Sequence, residues 1–299
     1  MGQAWCFGMR NLAERRFLVV GNAKTGTTVI SHTLMNAAGI RRYHLEPQTV
    51  AAFEALARDG EGDVVKILFG QWMERLEVLD AIIDGRIGPG FTDVLFILRD
   101  PRATEVSALL YWPYNHFLIS PWSEATAAAF LDIFRQKEAD PGGISMLAMG
   151  HALHQIAAGQ PGDLLRGEAA ARAFAQPGLP PDPMMTAYAD YIDRRGGPPA
   201  QLLRYEYFVA GRVAAHPLGD LLRGSREVGP DLDRTRRTGG REDWTSFVTP
   251  LDLDRFNHRH AVALERFGYP REVALGGPIL PEHCSGYVAR ILAAARSLG

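Results

Sequence analysis

The sequence predicts an α/β fold in which a parallel sheet carries helices on both faces. Two observations carry that expectation. Short apolar runs stop at glycine or at a charged turn, as buried parallel strands do: Arg16-Phe-Leu-Val-Val-Gly21, Val64-Val-Lys-Ile-Leu-Phe69 and Asp93-Val-Leu-Phe-Ile-Leu98. Helix signals separate them, and strands alternating with helices build parallel sheets. Composition agrees. The chain has 299 residues, 46% hydrophobic and 22% charged, enough to bury a sizeable core and unlike a disordered chain. Lys and Arg number 32 against 34 Asp and Glu, a net charge of −2. That balance argues against a general nucleic-acid binder, which shows a strong basic excess.

Taken in order, the first strand runs into a small polar loop, Asn22 to Thr28. Val29 to Ala38 then reads as a helix stopped by Gly39. The third strand ends in Arg99-Asp-Pro-Arg102, and Pro101 suits the first turn of a helix through about Tyr111. Residues 120–200 read as mostly helical, with Pro and Gly clusters at 177–183 and 196–199 that fit loops inside one domain. Gln201 to Val209 is a fourth strand, and the Arg-rich stretch 210–243 reads as a mobile surface loop. Thr249-Pro250-Leu-Asp252 is a helix start: an N-cap, a first-turn proline and an early acid. Leu253, Phe256, Leu264 and Phe267 share its apolar face, and Gly268 stops it. A last helix covers about Gly286 to Leu298. The expectation is one domain over residues 1–299, with 120–200 a helical insertion or lid on the acceptor side.

The two cysteines, Cys6 and Cys284, form neither a metal cluster nor a disulfide framework. No run approaches the roughly 20 apolar residues of a membrane span. The first residues lack a signal-peptide pattern, so a cytoplasmic protein is expected.

Chemistry concentrates first in Gly21-Asn-Ala-Lys24-Thr25-Gly26-Thr27-Thr28, between a strand and a helix. Backbone N–H groups at such a turn favour an anion. Lys24 adds a positive charge, and Thr25, Thr27 and Thr28 add hydroxyl donors. A Walker A loop has Gly, four residues, then Gly-Lys-Ser/Thr. Here Gly21 and Gly26 keep that spacing, but Thr27 stands where the lysine belongs and the lysine sits earlier. Arg99, not an acid, follows the third strand, whereas a magnesium-nucleotide hydrolase wants an aspartate.

The loop resembles the 5′-phosphosulfate loop of sulfotransferases that use 3′-phosphoadenosine 5′-phosphosulfate (PAPS), Pro-Lys-Ser/Thr-Gly-Thr-Thr, with Ala23 in place of the proline. The resemblance extends along the chain. In that family an Arg and a Ser eight positions apart bind the 3′-phosphate; Arg99 and Ser107 keep the spacing. A guanidinium gives a phosphate bidentate donors. An Arg-Lys-Gly segment before Gly-Asp-Trp matches Arg237, Thr238 and Gly239 before Glu242-Asp243-Trp244, with Thr238 in place of lysine and Glu242 in place of glycine. Tyr205-Glu206 resembles a pair whose tyrosine lies near the adenine, while the family's stacking tryptophan is here Val29. The resemblance implies a P-loop-like three-layer α/β/α fold with a central parallel sheet. It implies PAPS as cofactor and adenosine 3′,5′-bisphosphate (PAP) as product. The activity implied is metal-independent sulfuryl transfer to a hydroxyl of a small-molecule acceptor.

Lys24 and the loop amides would stabilise the leaving oxygen. The proton-accepting base departs from the pattern. Cytosolic members use a histidine two residues after a lysine, and the matching stretch here is Lys66-Ile67-Leu68. Glu46, in a Glu-Pro context after the first helix, resembles a catalytic glutamate of some bacterial members; His44 is the second candidate. Aromatics at Tyr111, Trp112 and Tyr114 are candidates to line an acceptor pocket, and the isolated His116 reads as structural. No metal-ligand spacing is seen. Two other readings stay open: an atypical P-loop kinase or nucleotide hydrolase, and a non-catalytic PAP-binding module.

Overall fold

Five short strands form one all-parallel sheet in the order β2-β3-β1-β4-β5, so the protein is α/β. They are β1 (Arg16–Gly21), β2 (Arg42–Leu45), β3 (Asp63–Leu68), β4 (Asp93–Leu98) and β5 (Ala200–Arg204). This computed structural model describes residues 12–56, 61–166, 181–195, 200–227 and 244–297. The chain divides into two compact units, residues 1–99 with 190–229 and residues 100–189 with 230–299.

The first unit holds the whole sheet. Central β1 pairs with β3 and β4, and every residue of β4 is buried. A strand covered on both faces loses the in/out alternation, which is why these runs are continuously apolar. Helix α1 (Thr27–Ala38) lays Ile30, Leu34 and Ala38 on the face made by Phe17, Val19, Val64, Leu95 and Ile97. Side chains alternate along a strand, so Phe96 points to the opposite face. There Tyr191, from the last turns of α7 (Pro183–Arg195), meets Phe96 and Phe69 with ring centroids 5.8 and 5.5 Å away. Its hydroxyl donates to Asp80 at 2.8 Å, on α3 (Leu76–Ile83).

The N-terminal edge of the sheet carries two buried carboxylates with basic partners. Asp63 faces Arg16, Arg42 and His44, and Asp93 faces Arg15. Burial pushes the Asp63 carboxyl up, but the bonds from His44 and Arg16 and the charge of Arg42 hold it below the usual carboxylate range.

The second unit is helical: α4 (Pro101–Ile119), α5 (Glu124–Ala139), α6 (Met146–Ala157), the first turns of α7, α10 (Trp244–Phe247), α11 (Pro250–Arg259), α12 (Ala261–Arg266) and α13 (Ser285–Arg296). Val106, Leu110, Phe130, Met149, Val288 and Ile291 lie in its core. Buried carboxylates knit the helix ends. Asp252 accepts the N–H of Met146 at the start of α6 and of Thr249 at the start of α11, at 2.9 and 3.0 Å. Asp100 caps α4 and clamps the fully buried Arg102 at 2.9 and 2.7 Å, while Trp244 lies under that guanidinium at 4.7 Å.

Several boundaries differ from the sequence expectation. Strand β2 is a four-residue edge strand with mixed polarity, too short to give a period. The fourth strand ends at Arg204, and Tyr205 instead opens the short helix α8 (Tyr205–Val209). Helix α4 continues through Pro113 to Ile119. The expected single helix after Thr249 breaks at His260 into α11 and α12. Within 210–227, α9 (Gly219–Leu222) and buried Val213, Leu218 and Leu222 pack under α1. They replace the start of the expected surface loop. Tyr111 and Tyr114 are buried in the second unit's core. Among the described residues no helix is long and apolar enough to cross a membrane.

Candidate anion site at the sheet's C-terminal edge

All strands of a parallel sheet end on the same edge. The chain leaves β1 toward β2 on one side and β4 toward β5 on the other, so the strand order reverses between β1 and β4, the point where ligands bind in open parallel sheets. The loop 22–26 follows β1, Glu46 follows β2, Arg99 follows β4 and Tyr205 follows β5. All belong to the first unit.

The loop conformation suits an anion. Lys24 and Gly26 both have left-handed backbones, φ 65 and 86. The Thr25 hydroxyl donates to the Asn22 carbonyl at 2.7 Å, closing the turn beneath. Gly26 is the N-cap of α1 and has no side chain to cap the first-turn amides. The first intrahelical bond is Ile30 N–H to the Gly26 carbonyl. The amides before Ile30 are those that a helix start offers to an anion. Thr25 and Thr27 are buried, whereas Thr28 is half-buried at the opening of the helix.

Two neighbours hold this loop. The Arg99 guanidinium donates to the Lys24 carbonyl. Arg99 also lies 5.0 Å from the centroid of the Tyr205 ring. That ring presses on Gly26 so closely that a Cβ there would fall 2.2 Å from it. Only glycine fits, for both the φ and the space. Lys24, Gly26, Arg99 and Tyr205, far apart in sequence, thus form one contiguous cluster.

The two base candidates point differently. His44 Nε2 lies 2.9 Å from the Asp63 carboxylate, at the opposite, N-terminal edge of the sheet. Glu46 stands at the C-terminal edge in a left-handed conformation, φ 52. Its carboxylate accepts from Lys66 Nζ at 2.5 Å. Among the described residues, Lys24 and Glu46 are the two non-glycine residues with positive φ, and such strain gathers at functional sites. Burial, then the Glu46 charge, raises the Tyr43 hydroxyl well above its ordinary value, so that neighbour keeps its proton.

Ser107 lies half-buried on α4 in the second unit. Arg237, Thr238 and Gly239 lie outside the described residues. The Lys66–Glu46 pair was not foreseen from sequence, although a lone lysine inside an apolar strand is a signal, because a buried charge needs a partner. In the second unit Glu105, Asp182 and His260 converge as a cation site would. Arg259 already stands there, 3.2 Å from Glu105 and 4.0 Å from Asp182, and supplies the counter-charge.

No model of a known protein family matches the chain, and no curated protein sequence matches it.

Proposed function

We propose that the chain is a PAPS-dependent sulfotransferase of the P-loop-like class, acting on a hydroxyl of a small molecule. The observation that carries this reading is the loop itself: a left-handed Lys24-Thr-Gly26 turn opening α1, braced by Arg99 and Tyr205. Uncapped helix amides, one lysine and one arginine suit a group with several anionic oxygens. Arg99 after β4, where a magnesium-nucleotide enzyme wants an acid, favours sulfuryl over phosphoryl transfer.

PAPS, when bound, supplies an activated sulfuryl group on a phosphate leaving group. Lys24 and the amides of Thr27 and Thr28 would hold the 5′-phosphosulfate and offset the charge that grows on the leaving oxygen. Arg99 binds the 3′-phosphate. For Ser107, Arg237, Thr238 and Gly239 the same role rests on sequence spacing alone. Tyr205 flanks the nucleoside. With PAPS bound, transfer would form the bond from the acceptor oxygen to sulfur and break the bond from sulfur to the phosphate oxygen, with PAP as the leaving group. Glu46 takes the acceptor proton. Its position at the sheet's C-terminal edge favours it over His44, which is bonded to Asp63.

Transfer of labelled sulfate from PAPS to a panel of phenols, alcohols and glycosides, in chelator, tests the proposal. Turnover is expected without metal, and Lys24→Ala should lose it by about a hundredfold or more, the scale for one donor at a developing oxyanion. Wild-type turnover in Lys24→Ala would remove that residue from the chemistry.

A further inference from the structure

We propose that Lys66 is the positioning residue for Glu46 and acts through that carboxylate rather than on the sulfuryl group; this rests on the sulfotransferase reading above. Strand register sets Lys66 between Val19 of β1 and Leu45 of β2. In-register neighbours share a face, and Val19 belongs to the cluster under α1. The lysine side chain is only 8% exposed, between apolar Val65 and Ile67 in the strand. Such a charge needs a partner, and Glu46 supplies it.

The grip is double. Glu46 donates its backbone N–H to the Lys66 carbonyl at 2.8 Å. Its Oε1 accepts from Lys66 Nζ at 2.5 Å. One residue therefore holds both the main chain and the side chain of Glu46, which accounts for a non-glycine residue kept at φ 52. Pro47 restricts the next peptide and limits the alternatives. The carboxylate is then divided. Oε1 is occupied by the lysine, while Oε2 makes no hydrogen bond among the described residues. The Glu46 side chain is 27% exposed, so this second oxygen can meet an incoming hydroxyl. Leu68, at the end of the same strand, offers no proton acceptor, whereas Glu46 at the end of the neighbouring strand does.

A double-mutant cycle separates acting through Glu46 from acting beside it. Lys66→Met, Glu46→Gln and the double variant are compared with wild type for kcat and KM, using the best acceptor of the panel, and for PAP affinity by calorimetry. Lys66→Met should lower kcat by about tenfold or more and leave PAP affinity within about twofold. In the Glu46→Gln background the same change should cost less than about twofold. Lys66→Arg, which keeps a donor and a charge, should restore most of kcat. Losses that multiply in the double variant, or a tenfold loss of PAP affinity in Lys66→Met, would overturn the proposal while leaving the sulfotransferase reading standing. A wild-type protein that neither binds PAP nor transfers sulfate would overturn both. Lys66→Gln runs the same cycle if Lys66→Met does not fold.

Discussion

Gly26 and Gly39 bracket α1, and both have left-handed backbones, φ 86 and 69. Their surroundings differ. A Cβ at Gly39 meets nothing within 4 Å, whereas one at Gly26 would fall 2.2 Å from the Tyr205 ring. Alanine at 39 should therefore cost about 1 kcal/mol, the backbone term alone. Alanine at 26 should cost about 2 kcal/mol or more, because the ring must also move. Denaturant melts of the two variants check this. Equal losses would mean that the ring does not brace the loop. Gly26→Ala should also weaken PAP binding, and Gly39→Ala should not. At this scale the sequence was readable where a motif is contiguous. Lys24, Gly26 and the threonines sit in one loop. The Tyr205 contact was not readable, because it joins residues almost 180 positions apart. The Lys66–Glu46 pair was hidden for another reason: β2 is too short and too polar to register as a strand, so its pairing with β3 had no signal.

Elements in the second unit are held by buried polar groups at their ends. Lys137, near the end of α5, is fully buried and donates to the carbonyls of Pro141 and Ile144 at 2.5 and 2.6 Å. Burial lowers its pKa to about 8, against the opposing pull of Asp252. The folded protein thus holds this proton less tightly than the unfolded chain does. Between about pH 8 and the ordinary lysine value the unfolded state binds more protons, so stability should rise with pH there. Lys137→Met should be less stable overall, since it orphans two carbonyls, and should lose that rise. Urea melts between pH 7.5 and 9.5 read both effects, and the same slope in both proteins would contradict the assignment. The apolar helices of this unit were legible from periodicity and caps, such as Thr249 with Asp252. The break at His260 was not. His260 is buried and bonded to Glu105 at 3.1 Å, a tertiary contact that local pattern does not encode.

Across the whole molecule, buried or paired carboxylates set the acid limit. Burial pushes Asp63 and Glu105 up, but hydrogen bonds from His44 and Arg16 to Asp63 and from His260 to Glu105, with the charges beside them, win, and both titrate below their ordinary values. A carboxyl depressed in the folded state stabilises above its unfolded pKa, and that stability disappears as pH falls through the folded value. Unfolding in acid should therefore begin below the ordinary carboxylate range, and Asp63→Asn should flatten part of the limb. An unchanged limb would clear Asp63 of that role. The parallel α/β architecture was legible because buried central strands read as unbroken apolar runs. Strand order was not, since nothing in β2 or β5 alone says which neighbour it joins. The order brings the ends of β1 and β4 together at the edge where Lys24 and Arg99 meet.

The most direct test of that cluster is calorimetric titration of the purified protein with PAP in chelator, beside magnesium ATP. Tight, metal-independent binding of PAP and weak binding of magnesium ATP are expected. Preference for magnesium ATP would contradict the sulfotransferase reading and return the Lys24 loop to nucleotide hydrolysis or phosphoryl transfer.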